Sequence, residues 1–232
     1  MIDYPVFLEN CAKINERIAL ACEKCGRKTE SVRLMPVTKT HPVDAALFAY
    51  KAGYKAVGEN RVQEAVSKIP LAPLDLQWEL IGHLQSNKAK LAVSHFARIQ
   101  SVDSVKLVEK LNNHAKELGK TMRILLQINA GNDPAKFGAD IQDAPALAEA
   151  ALKCEHLKVE GLMTIAPLDS NLDTASKCFC KLREIRDLLE REFSVKLQEL
   201  SMGMSGDLER AIQEGATVIR VGTALFGERY YG

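Results

Sequence analysis

The chain has 232 residues, of which 47% are hydrophobic and 26% charged, with a formal net charge of +1. This is ordinary soluble globular composition, and so balanced a charge offers no field to attract nucleic acid or an acidic membrane surface. The opening Met1-Ile2-Asp3-Tyr4-Pro5 lacks the basic and apolar stretches of a signal peptide, and no segment approaches the roughly 18 apolar residues of a membrane span, so a cytoplasmic protein is expected.

Leu8, Cys11, Ile14, Ile18 and Ala21 recur at spacings of three and four, which predicts a helix from about Tyr4 to Cys25, stopped by Gly26. The pattern then alternates. A short strand Leu34–Thr38 precedes a helix Pro42–Ala52, and a strand starting at Ala56–Gly58 precedes a helix Arg61–Ile69. Pro70 and Pro73 mark a loop before the strand Trp78–Gly82, whose helix runs Ser86–Val93. Strand Ala97–Val102 leads to a helix with Val105, Val108, Leu111, Ala115 and Leu118 on one face. Strand Ile124–Ile128 is followed by a long loop and a helix Ala144–Lys153. Strand Val159–Met163 feeds a helix carrying Ala175, Phe179, Leu182, Ile185 and Leu189. Strand Leu197–Met202, helix Asp207–Glu214, strand Val218–Val221 and a terminal turn at Ala224–Phe226 complete the chain. Eight strand–helix units behind one extra N-terminal helix predict an α/β fold, a single-domain (β/α)8 TIM-type barrel over residues 1–232. An open doubly wound sheet is the alternative.

The six cysteines are expected as thiols, because no secretion signal accompanies them. Cys22-x-x-Cys25 has the spacing of half a zinc site or of a redox pair, but a second ligand pair at finger-like spacing is missing, and ordinary helix cysteines are the reading; no metal is expected. Trp78 is expected in the core, and Ser86–Lys90 on a solvated helix face.

In such barrels, sites form where strands end at their C-terminal edge. The polar residues there are Lys39; Glu59 and Asn60; His83, Gln85, Ser86 and Asn87; Thr164; Ser201 and Ser205, with Gly203; and Arg220 and Thr223, with Gly222. Lys39 follows an apolar strand directly, so it points into the barrel mouth. A partly dry mouth favours a neutral, nucleophilic amine, as Schiff-base chemistry requires. Gly222-Thr223, between the eighth strand and a helical turn, with Ser201 from the seventh, has the chemistry of a phosphate cradle, although glycines and capping hydroxyls are also common at turns. His83 is a candidate general acid–base, or a simply hydrogen-bonded histidine.

These residues fall within an ordered set of motifs. They are Val37-Thr38-Lys39-Thr40, Gly58–Glu64, Ile81–Lys88, Lys136-Phe137-Gly138, Gly161-Leu162-Met163, Leu200–Ser205 and Arg220–Gly227. From about residue 5 to residue 230 the chain resembles the pyridoxal phosphate homeostasis protein family, whose members are similar to the barrel domain of alanine racemase. The resemblance implies pyridoxal 5'-phosphate as cofactor, held by Lys39 as a Schiff base. Asn60 would lie near the ring, Ser201, Gly222 and Thr223 at the phosphate, and Arg220 opposite the pyridine nitrogen, with His83, Met163 and Ser205 as further contacts. One departure is Gly206, where the family pattern has an acid; since a helix begins there, a local change of capping is expected.

The resemblance implies a protein that carries or buffers the cofactor and supports vitamin B6 and amino-acid balance without robust catalysis. An arginine beside the pyridine nitrogen disfavours protonation there and weakens the ring as an electron sink. Racemases of this fold also borrow a tyrosine from a partner's β domain, which a chain ending at Gly232 would lack. A monomer with an open site is therefore expected, with cofactor-dependent apo-enzymes as recipients. Two alternatives stand beside this reading. One is an amino-acid racemase or lyase, with His83 or Tyr230 as the second acid–base. The other is a phosphate-binding barrel enzyme without the pyridoxal group.

Overall fold

A computed structural model describes residues 2–167 and 172–228. The first helix, α1 (Tyr4–Lys24), starts with a proline in its first turn and buries Phe7, Cys11, Ile14, Ile18 and Ala21, the face set by the spacing. It ends at Gly26, whose φ of 67° suits a residue without a side chain. Then come β1 (Arg33–Pro36), α2 (Val43–Lys51), β2 (Ala56–Glu59), α3 (Val62–Lys68), β3 (Gln77–Leu80), α4 (Ala89–His95), β4 (Arg98–Val102) and α5 (Val105–Glu117). The second half holds β5 (Met122–Gln127), α6 (Ala144–Leu152), β6 (Leu157–Met163), α7 (Leu172–Phe193), β7 (Glu199–Ser201), α8 (Leu208–Gln213), β8 (Val218–Val221) and α9 (Thr223–Phe226).

All eight strands are parallel, in the order β1-β8-β7-β6-β5-β4-β3-β2. β1 lies beside β8, with Met35 opposite Arg220. The remaining seam closes just past β1, where Val37 bridges Gly58 and the Thr38 N–H donates to the Gly58 carbonyl at 3.0 Å. The sheet is therefore a barrel and not an open doubly wound sheet. Trp78 is buried, as expected.

Element ends differ from the expectation by one or two residues in most units. The largest shift is at Ser86, where a 3-10 turn, Ser86–Lys88, precedes α4. Ala89, expected on a solvated face, is fully buried. The seventh strand is three residues long, because Met202 already turns away toward Gly203 at φ 91°.

The barrel interior is partly polar. Glu79 takes a two-point bond from Arg98, at 2.7 and 3.2 Å, and another from the Gln100 amide at 2.7 Å. The Gln100 oxygen accepts from the Ser201 hydroxyl at 2.6 Å, and that hydroxyl accepts from Arg220 at 2.8 Å. A continuous chain of hydrogen bonds thus runs through the barrel toward its C-terminal edge, and each buried polar group on it finds a partner.

Candidate functional site

A cavity of about 420 Å³ opens at the C-terminal edge of the strands. Each loop that lines it follows a strand, so its side chains are placed by the sheet. Lys39 enters after β1, Asn60 after β2, and Gly82 and His83 after β3. Gln127 ends β5 and Phe137 stands in the loop beyond it, while Ile165 follows β6. Met204, Ser205 and Gly206 come from the loop after β7; Arg220 from β8; and Gly222 and Thr223 from the start of α9.

Lys39 is half-buried between two fixed neighbours. Thr38 is clamped by Lys68 of α3, whose Nζ donates to the Thr38 carbonyl at 3.0 Å and to Glu59 at 2.7 Å. The Thr38 hydroxyl donates to the same Glu59 oxygen at 2.7 Å. Thr40 adopts φ 63°, and its N–H donates to Glu64, which also accepts from Lys68. Burial pushes the Glu59 carboxyl upward against the opposing pull of Lys68 and Thr38, and its second oxygen is buried with no hydrogen-bond partner among the described residues.

Arg220 is almost fully buried; one terminal nitrogen donates to Ser201 and the other to the Thr164 carbonyl at 2.8 Å. Burial pulls its pKa down to about 10 against the attraction of Asp207, so it remains a cation at neutral pH. His83 stacks flat on Phe137, with ring centroids 3.9 Å apart, and its Nδ1 lies 3.3 Å from Asp103. Burial raises the Asp103 carboxyl, opposed by His83. The Phe137 carbonyl accepts from Gln127, whose own side-chain oxygen is buried without a partner among the described residues.

The glycines make room for these approaches. A Cβ at Gly82 would lie 2.2 Å from the Asn60 carbonyl oxygen, so the loops after β2 and β3 meet only if that residue has none. At Gly206 a Cβ would meet nothing within 4 Å, which leaves that loop open to the cavity.

The structure brings Lys39, Asn60, His83, Ser205, Arg220, Gly222 and Thr223 to one cavity. Ser201 is not in its wall. Its hydroxyl is fully buried and engaged by Gln100 and Arg220, so it orients the arginine, and the hydroxyl offered from beyond β7 is that of Ser205. Met163 is likewise fully buried and away from the lining. Asp207 does not cap α8; its carboxylate accepts from the Met204 N–H at 2.6 Å and closes the cavity loop. Tyr230 lies outside the described residues. The sequence pattern did not single out Gln127, Asp103 or Gln100. Phe137 carried a signal in the Lys136-Phe137-Gly138 motif but no assigned role.

A second cavity, of about 460 Å³, lies at the opposite end, where Arg33, Glu79, Arg98, Arg123 and Glu199 meet. Its charges are of opposite sign and paired, as in Arg98–Glu79 at 2.7 Å and Arg98–Glu199 at 3.2 Å, and it reads as the stabilising floor of the barrel. Among the described residues no three His, Cys, Asp or Glu side chains are grouped to hold a metal, and no helix is long and apolar enough to cross a membrane.

The chain matches the family described as alanine racemase, N-terminal domain, over residues 10–230. It is 42% identical over 224 residues to the pyridoxal phosphate homeostasis protein of Aquifex aeolicus, covering 96% of this chain and 98% of that one. The structure of PipY from Synechococcus elongatus PCC7942 with pyridoxal phosphate bound superposes with a TM-score of 0.80 at 42% identity, over 92% of this chain and all of that one. An alanine racemase of Clostridium difficile shares the fold, with a TM-score of 0.74 at 18% identity, over 95% of this chain and 57% of that one.

Proposed function

The chain belongs to the family of pyridoxal phosphate homeostasis proteins, and on that premise we propose that it binds pyridoxal 5'-phosphate at Lys39 and carries or buffers it without robust catalysis. The observation that carries this reading is the convergence, on one cavity, of a lysine amine, hydroxyl-bearing glycine loops and a buried guanidinium. The donor set suits the group. Lys39 supplies the amine that holds an aldehyde covalently. Ser205, Gly206, Gly222 and Thr223 offer hydroxyl and backbone N–H donors to a phosphate, and Gln127 keeps an oxygen without a protein partner. The volume is within the usual range for small-molecule sites.

Bound pyridoxal phosphate supplies a conjugated ring able to accept electrons from an attached amino acid. The residues around it favour holding over turnover. Arg220 stays charged and is fixed by Ser201 and Thr164; facing the ring nitrogen, it would disfavour a proton there. Among the described lining residues the titratable side chains are Lys39, His83 and Arg220. Of these, His83 has its Nδ1 3.3 Å from Asp103 and its ring stacked on Phe137. We further propose that the protein acts in the cytoplasm as a monomer and hands its cofactor to apo-enzymes.

The absorption spectrum tests this reading. Protein incubated with pyridoxal phosphate and desalted is expected to retain a yellow chromophore, and Lys39→Ala to lose it. A wild type that stays colourless contradicts the binding claim. Turnover of L-amino acids by wild type that disappears in Lys39→Ala contradicts the non-enzyme claim.

A further inference from the structure

Helix α1 precedes the eight strand–helix units, yet its polar residues reach both loops on the β7–β8 side of the cavity. Arg17 donates through Nη2 to the Ser205 carbonyl at 3.0 Å, and through Nε and Nη2 to Glu209 of α8 at 2.7 and 3.0 Å. About two turns earlier, Asn10 donates to the Leu225 carbonyl of α9 at 3.2 Å, and Phe7 stacks on Phe226 with centroids 5.0 Å apart. The same helix thus grips the loop that presents Ser205 and Gly206 and the short helix that starts at Thr223.

We infer that α1 is a strut for the anion-binding side of the cavity and that Arg17 is a positioning residue for recognition of the ligand's phosphate; this rests on the pyridoxal phosphate reading. Within the loop from Gly203 to Asp207, the Asp207 N–H donates to the Met204 carbonyl at 3.3 Å, and the Gly203 carbonyl accepts from the Arg220 N–H at 3.0 Å. Asp207 secures it from within by accepting the Met204 N–H, and Gly206 carries no side chain to pack. Arg17 secures it from outside, at the carbonyl of Ser205, which lines the cavity. A fork that bonds a backbone carbonyl and a carboxylate at once fixes the loop relative to α8 as well as to α1. Without it, the loop must be ordered when ligand binds, and that cost falls on affinity. The cost belongs to the phosphate contacts alone, because Arg17 is not among the cavity-lining residues and bonds the Ser205 carbonyl, whereas the neighbours of Lys39, Thr38 and Thr40, are held by α3.

The test compares two aldehydes that differ only by the phosphate. Dissociation constants for pyridoxal phosphate and for pyridoxal are measured by absorbance on wild type, Arg17→Ala, Arg17→Lys and Glu209→Gln. Arg17→Ala is expected to weaken pyridoxal phosphate about fivefold to tenfold, the scale of one ordinary hydrogen bond, and to leave pyridoxal within about twofold. Arg17→Lys, which keeps the charge and one donor, is expected to recover part of the loss, and Glu209→Gln, which leaves the Ser205 bond, to lose less than Arg17→Ala. Equal weakening of both ligands would assign Arg17 to general stability and overturn the inference, as would no change in either. Should Arg17→Ala not fold, the same comparison is read on Arg17→Lys and Glu209→Gln. A wild type that takes up neither aldehyde instead defeats the pyridoxal phosphate reading, and this inference falls with it.

Discussion

Lys39 depends on residues that do not touch the cavity. Lys68 is buried with Glu59, pairs also with the half-buried Glu64, and holds the carbonyl of Thr38. Replacing one member of a buried ion pair leaves the other charge without a partner, which costs more than the pair contributes. Lys68→Met is therefore expected to lower unfolding free energy by about 3–5 kcal/mol in urea titration, and a loss under about 1 kcal/mol would contradict the role given to it. Glu59 has a pH signature. Its carboxyl is pushed upward in the folded protein, chiefly by burial, so folding favours its protonated form. Its contribution is fully present below the ordinary carboxylate range and is lost as pH rises through the folded value. The melting temperature of wild type relative to Glu59→Gln should accordingly fall from acid toward neutral pH; a relative stability that rises over that interval contradicts the assignment. Lys39 was legible because it follows an apolar strand directly. Lys68 was not, since it is one of 31 Lys and Arg residues and a lysine ending a helix normally reaches solvent.

The alternation of apolar runs with helical spacing located every strand and every main helix. Their ends shifted because a strand stops where its neighbour's ladder stops, which is a property of the pair and not of the segment. Gly82 shows the limit. It reads as a strand-end glycine, yet what requires it is the Asn60 carbonyl of another loop. Gly82→Ala is expected to cost both stability and ligand affinity, since a backbone oxygen 2.2 Å from the new Cβ can yield only if the cavity loop moves. A variant with wild-type melting and wild-type affinity would refute that. The polar chain Glu79–Gln100–Ser201–Arg220 was equally hidden. Polar residues alternating along a strand ordinarily mark a solvent face, and here they face one another inside the barrel. Helix α1 was predicted with nearly its observed length, but only the fold shows that it reaches the cavity loops. Phe7→Ala, which removes a fully buried ring stacked on Phe226, is expected to destabilise by about 3–5 kcal/mol.

The barrel separates two tasks. Its N-terminal end holds a net of paired arginines and glutamates, and its C-terminal end holds donors collected from six of the eight strands' following loops or ends around one opening. The same fold in a racemase at 18% identity shows that the scaffold alone does not decide between catalysis and carriage. In this chain the choice turns on the site, where Ser201 and Thr164 fix the Arg220 guanidinium, and it presupposes that pyridoxal phosphate is attached at Lys39. Intact mass before and after borohydride reduction tests that attachment most directly, because reduction fixes only an imine. The wild type loaded with pyridoxal phosphate is expected to gain the mass of one pyridoxyl phosphate group per chain, on the peptide containing Lys39, and Lys39→Ala to gain none. An unchanged wild-type mass, or equal labelling of the variant, would contradict it.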